Sequence, residues 1–236
     1  MKYHAILFDL DGTLLPMDQD AFTKSYFKLL AAKMAPYGYD AKALVDGIWA
    51  GTVAMVKNDG SRTNEEAFWA RFIACMGAQV QRHRPLFDAF YRVEFQQARA
   101  YCGFNPKARE CVALVKALGL RTALATNPIF PSFATESRIR WAGLEPQDFE
   151  FFTSYENCRT CKPNPVYYRE LLERLNLRPE ECLMVGNDAD EDMVAETLGM
   201  GVFLLTDCLI NRNDREIVWP HGDFDALMDF LRGQAD

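Results

Sequence analysis

Two aspartates, Asp9 and Asp11, close a short apolar run, Ala5-Ile6-Leu7-Phe8. Alternate residues of an extended strand face the same way, so this spacing aims both carboxylates at one point. If the chain has already turned there, they diverge. Carboxylates that close repel unless something positive compensates, and an acidic group at 187–192 points to a hard cation. Gly12 permits a tight turn that brings backbone N–H groups towards an anion. Further along stand a hydroxyl, Thr126, beside Asn127, and a lysine, Lys162, before Pro163.

These residues sit where strands should end. Tyr3 to Phe8, Leu120 to Ala125, Phe149 to Ser154, Cys182 to Val185 and Val202 to Leu205 read as strands. They alternate with helices, the first from Pro106 to Gly119 and the last around Phe224 to Leu231. Between them, helices cover about Phe133 to Trp141, Pro165 to Leu175 and Asp190 to Leu198. Such alternation predicts an α/β fold, a doubly wound parallel sheet covered on both faces. Ligands in open sheets of this kind bind beyond the carboxyl ends of the strands. One acidic strand end is commonplace; four matched ends in order are not.

The stretch from about Met17 to Tyr101 has a different texture. Phe22, Tyr26, Leu29 and Leu30 share one face of a helix that Asp18 can cap. A second helix is expected over Ala41 to Val56, and Thr63 with Glu66 forms a capping box for a third. A fourth is expected from Pro85 to Ala100. The first strand must join the sheet, so residues 16–102 read as an inserted helical cap domain. Residues 1–15 and 103–236 then form the core domain. The aromatics Phe22, Tyr26, Trp49, Phe68, Trp69 and Phe72 are expected to build the insertion's own core, with one or two facing the site.

Four segments, DLDGTL, Thr126, Lys162-Pro163 and MVGNDADEDM, resemble the four ordered motifs of the haloacid dehalogenase-like hydrolase superfamily. The helical insertion resembles that superfamily's cap, and the DxDGT form resembles its phosphatase and phosphotransferase branches. Dehalogenating members do not need the second Asp, so Asp11 argues against them. The resemblance implies that Asp9 attacks phosphorus and becomes an aspartyl-phosphate. Asp11 would protonate the leaving alkoxide and then deprotonate the attacking water. Thr126 would hydrogen-bond the phosphoryl group, with the Asn127 backbone a further donor, and Lys162 would offset negative charge. Mg²⁺ would be held by Asp9, the Asp11 carbonyl and the acidic segment.

The fourth motif departs from the family pattern, which places Asp directly after the Gly. This chain has Asn187 there, followed by Asp188. Asp188 is expected to be the direct charged ligand, with Asn187 a ligand or its partner. Asp192 is expected to orient Lys162 or a metal-bound water, although Asp190 or Asp192 could simply cap the next helix. The leading reading is therefore a Mg²⁺-dependent phosphatase of a small phosphorylated metabolite. A phosphomutase of the β-phosphoglucomutase type and a non-catalytic binding protein are the alternatives.

Composition narrows the classes further. The 236 residues are 49% hydrophobic and 25% charged, with a formal net charge of -7. This disfavours a nucleic-acid or anionic-membrane partner. No apolar run approaches a membrane span, and the N-terminal run is too short for a signal peptide. An odd set of seven cysteines, mostly in apolar patterns, suggests reduced thiols in a cytoplasmic protein. Cys158 and Cys161 form a CxxC with no second pair of zinc ligands, and are expected to be loop residues. Oligomeric state is left open.

Overall fold

The computed structural model describes residues 2–234. Its six strands form one parallel sheet: β1 (Ala5–Phe8), β2 (Arg121–Leu124), β3 (Phe151–Phe152), β4 (Cys182–Gly186), β5 (Gly201–Leu205) and β6 (His221–Gly222). Their spatial order, β3-β2-β1-β4-β5-β6, reverses direction between β1 and β4. That reversal opens a crevice at the carboxyl edge of the sheet. Phe8 lies in register with Leu124 on one side and Val185 on the other. The residues that follow these three are thereby neighbours.

Every residue of β1 is buried, as a central parallel strand covered on both faces requires. Ile6 and Phe8 join one apolar cluster with Val112, Val115 and Val185. Ala5 and Leu7 join another on the opposite face, with Tyr167, Leu171 and Met184. The first cluster runs without a break into the helical insertion, to Phe22, Tyr26, Phe90 and Phe95.

The insertion comprises α1 (Gln19–Met34), α2 (Ala41–Val56), α3 (Asn64–Met76) and α4 (Arg84–Arg92). Asp18 caps α1 through the N–H groups of Asp20 and Ala21, and Thr63 with Glu66 completes the capping box of α3. Helices α2 and α3 pack closely because Gly51 lacks a side chain where the Phe68 ring lies. The two chain crossings lie side by side: Met17 bridges Cys102, and the Gly103 N–H donates to Pro16 O at 2.6 Å. The core helices are α5 (Pro106–Ala117), α6 (Ser132–Trp141), α7 (Pro165–Leu175) and α8 (Phe224–Gly233).

Four elements differ from the sequence reading. The helix expected over Pro85 to Ala100 ends as an α-helix at Arg92, with φ widened to −117° at Val93, and continues as a 3-10 helix over Glu94–Tyr101. The segment expected as helix from Asp190 becomes a 3-10 helix only at Met193–Leu198. Before it, the Asp188 carboxylate accepts the Asp190 and Glu191 N–H groups and holds the chain in a tight turn. The strand at 149–154 pairs only over Phe151–Phe152. The edge pairing at His221–Gly222 carries no alternating apolar signal and was not anticipated.

Candidate active site

Asp9 follows β1, with its N–H donated to Val185 O at 2.9 Å. Its carboxylate is held from two sides. Lys162 Nζ donates to Asp9 Oδ1 at 2.9 Å and to Asp192 Oδ1 at 2.6 Å. Thr13 Oγ1 lies 3.0 Å from Asp9 Oδ2 and 2.9 Å from Asn187 Oδ1, so its one proton is shared between them. Lys162 is only 2% exposed. Burial alone would lower its pKa, but Asp192 and Asp9 outweigh that and raise it well above the usual lysine value. The ammonium is therefore a fixed charge at any pH near neutrality.

Asp192 precedes the 3-10 helix Met193–Leu198, but its side chain makes no capping hydrogen bond. Its second oxygen accepts the Asp188 N–H at 3.0 Å, which fixes the carboxylate against Lys162. Burial pushes Asp192 above the usual carboxylate range, against the pull of Lys162. Asp9, Lys162 and Asp192 thus form one buried chain in which the lysine lies between two carboxylates, both of which line the cavity.

Gly12 has φ +89°, and a Cβ there would overlap the Asn187 amide. Glycine is thus required twice at this position, for the turn and for the contact. Asn187 Nδ2 donates to Cys208 O at 2.7 Å, which leaves its Oδ1 directed to Thr13.

Asp11 has a partner that spacing did not reveal. Arg138, on α6 and 1% exposed, donates from Nη1 to Asp11 Oδ2. Asp11 Oδ1 is buried with no partner. Burial raises the Asp11 carboxyl above its usual range, Arg138 opposes this, and Asp9 adds to it. The Arg138 guanidinium also rests 4.5 Å from the Phe130 ring centroid. The signal for Arg138 is faint but present: a charged residue on a helix face otherwise made of Ala134, Thr135, Ile139 and Trp141.

Asp188 faces Arg212, whose Nη1 donates to Oδ2 at 2.6 Å, while Oδ1 takes the two turn amides. Among the described residues, no three His, Cys, Asp or Glu side chains converge into a ready-made metal cluster. The oxygens around Asp9 nevertheless suit a hard cation. Thr13 brings the Asn187 amide oxygen up to the Asp9 carboxylate, a neutral and an acidic oxygen donor side by side.

Thr126 follows β2, is 2% exposed and lines the same cavity as Asp9, Asp11, Asn187, Asp188 and Asp192. Its carbonyl accepts from the Thr153 and Tyr167 hydroxyls, at 2.6 and 2.9 Å, which fixes the loop. Asn127 Nδ2 donates to Glu191 at 3.1 Å. The cavity has a volume of about 230 Å³ and extends beneath the insertion. Five of the six aromatics expected in the insertion's core, Phe22, Tyr26, Trp49, Phe68 and Trp69, line it; Phe72 does not. All seven cysteines are free. Cys158 and Cys161 are buried outside the site, and burial pushes the Cys158 thiol up to about 12. Among the described residues, no helix is long and apolar enough to cross a membrane.

A phosphoglycolate phosphatase of Nitrosospira multiformis is 25% identical over 206 residues, 84% of this chain and 81% of that one. Among solved structures, a 2-haloacid dehalogenase from Pseudomonas syringae pv. Tomato aligns with a TM-score of 0.64 at 18% identity, covering 98% of this chain and 99% of that one. The Bacillus subtilis HAD-hydrolase YfnB, bound to magnesium, aligns at 0.57 with 19% identity, covering 98% and 99%. The family profile of haloacid dehalogenase-like hydrolases matches residues 3–195, and the chain is an enzyme of that family.

Proposed function

We propose that the chain is a Mg²⁺-dependent phosphatase that hydrolyses a small phosphorylated metabolite through an aspartyl-phosphate on Asp9. The observation that carries this reading is the Asp9–Lys162–Asp192 chain, which sets a buried lysine against the Asp9 carboxylate at the wall of a cavity. A dehalogenase has no use for a second aspartate at this point. Asp11, buried and partnered by Arg138, supplies the acid that an alkoxide leaving group requires.

In the first step an Asp9 oxygen forms a bond to phosphorus while the ester P–O bond breaks. The departing alkoxide takes a proton from Asp11. Arg138 occupies Asp11 Oδ2, so the transferable proton resides on the unpartnered Oδ1. In the second step water attacks phosphorus and gives its proton back to Asp11. The bond to Asp9 breaks, and inorganic phosphate leaves. Thr126 hydrogen-bonds the phosphoryl oxygens, and Lys162 offsets the charge gathered on Asp9 and phosphate. Asp9, the Asp11 carbonyl, Asn187 and Asp188 would hold Mg²⁺, which supplies charge neutralisation for the phosphoryl group.

Residues 16–102 act as the cap and 1–15 with 103–236 as the core. The paired crossings at Pro16–Met17 and Cys102–Gly103 support this division, because motion there would swing the insertion as a unit. The free thiols support a reducing, cytoplasmic setting. The test is phosphate release from a panel of phosphorylated metabolites with and without Mg²⁺. Mg²⁺-dependent release of free phosphate is expected. Transfer of the group to a sugar without release would move the chain to the phosphomutases, and undiminished turnover in EDTA would remove the metal.

A further inference from the structure

Ten aromatic residues line the cavity, and among the described residues no Lys, Arg or His lines it. Its charged lining is six carboxylates: Asp9, Asp11, Asp188, Glu191 and Asp192 at the sheet edge, and Asp88 from the insertion. Three guanidiniums touch wall residues, but each is committed elsewhere. Arg84 lies over the Trp69 ring and pairs with Glu65; Arg138 lies over Phe130 and pairs with Asp11; Arg212 pairs with Asp188. Lys162 is locked between Asp9 and Asp192. A phosphoryl group at Asp9 has Lys162 to meet it. A second anion on the same substrate has none, and would face Asp88 or Glu191 across rings that cannot solvate it.

From this we infer the substrate class: a monoester whose leaving group is an uncharged, ring-sized apolar alcohol with no second carboxylate or phosphate. The inference rests on the phosphatase reading above and narrows it. Size agrees, since an apolar cavity of about 150 Å³ accommodates a benzene ring. A volume of about 230 Å³ therefore holds a phosphoryl group and one ring. Polar recognition is neutral as well. Trp69 Nε1 is buried at this wall with no acceptor, and an ether or hydroxyl oxygen on the leaving group would satisfy it. Phosphoglycolate, the substrate in the name of the relative described above, carries a carboxylate for which this wall offers no cation.

Three esters and one control decide the matter. 2-Phenylethyl phosphate, 2-phosphoglycolate and propane-1,3-diyl bisphosphate are compared by kcat/KM in Mg²⁺, with acetyl phosphate as a substrate too small to reach the rings. We expect turnover of acetyl phosphate and a preference of at least ~10-fold for the phenylethyl ester over both charged esters, about 1.4 kcal/mol. A smaller preference, or a charged ester in front, overturns the inference while acetyl phosphate turnover leaves the phosphatase reading intact. No turnover of acetyl phosphate would sink both. Thr23 lines the cavity and is half-buried, so Thr23→Lys places a cation at the wall. It should shift the ratio towards phosphoglycolate by ~10-fold or more, and an unshifted ratio in the folded variant also overturns the inference. Trp49, 49% exposed, tolerates truncation; Trp49→Ala should lower kcat/KM for the phenylethyl ester alone, and an equal loss for all three esters counts against it.

Discussion

Along the sheet edge, Asp9, Lys162 and Asp192 are joined at 2.9 and 2.6 Å into a buried chain of opposite charges, and Asp11 is answered by Arg138. Across the cavity the insertion presents rings, with Tyr26 edge-on to Phe95 and Phe130 and Phe68 stacked on Phe72. Charges at the first wall are fixed in place and worth far more in a dry site than in water. Rings at the second wall bury area and select shape without strong direction. A single side-chain change should therefore be catastrophic at one wall and graded at the other.

The largest effect is expected for Asp9→Asn, which removes the attacking oxygen anion. No phospho-enzyme should form with any ester, as read by acid-quench trapping of ³²P from an activated aryl phosphate. Label on this variant would move the nucleophile elsewhere. Asp11→Asn keeps the nucleophile and loses the proton. With a poor alkoxide leaving group, kcat should fall by about 10²–10⁴-fold. With an activated aryl leaving group the first step should survive better. Equal losses for both would remove the acid role from Asp11.

Lys162→Met tests the charge chain as structure. It leaves Asp9 and Asp192 as neighbouring buried carboxylates with no cation between them, at a cost of about 3–5 kcal/mol in denaturant unfolding. Adding Asp192→Asn removes one of the uncompensated charges and should restore part of that loss. Strict additivity of the two changes would show that the residues do not act as a unit.

The contrast between the walls also explains what could be seen in advance. Asp9, Thr126, Lys162 and Asn187 are legible because each follows a strand or precedes a helix whose periodicity is plain, and parallel register then gathers the strand ends. The helix over Ala41–Val56 and the Thr63–Glu66 capping box were legible for the same local reason. The pairing of Arg138 with Asp11 was not, because the two lie 127 residues apart and no spacing links them. The pairing of Arg212 with Asp188 is hidden in the same way, the two lying 24 residues apart with β5 between them. The aromatics were visible as a set, yet which rings face the cavity depends on how α1–α4 pack.

Metal binding is where the two kinds of signal disagree, and a titration sharpens it. Charge favours Asp188 as ligand, but its oxygens already serve two turn amides and Arg212. Contact favours Asn187, which Thr13 joins to Asp9. We expect Asn187→Ala to raise the Mg²⁺ concentration for half-maximal activity by ~10-fold, and Asp188→Ala by less. The reverse order would make Asp188 the stronger of the two ligands and require Arg212 to yield it.

The smallest effect belongs to the ring wall. Tyr26 and Tyr91 share a hydrogen bond of 2.8 Å between their hydroxyls, and Tyr26 lies on the buried face of α1. Tyr26→Phe keeps the ring and its packing and removes only that bond. A neutral hydrogen bond contributes about 0.5–1.5 kcal/mol net, so unfolding at pH 7 should become easier by about 1 kcal/mol. The sign reverses at high pH. Burial pushes the Tyr26 hydroxyl up to about 12 from an ordinary value of 10.0, so the folded chain retains a proton that the unfolded chain gives up. Stability is thereby lost as pH rises from 10 towards 12, in proportion to that difference in bound protons. Phenylalanine has no proton to lose. The variant should be less stable than the parent at pH 7 and should close the gap between pH 10 and 12. Parallel stability curves over that range would mean that Tyr26 ionises as freely in the folded chain as in the unfolded one, and that the ring wall is wetter than its packing indicates.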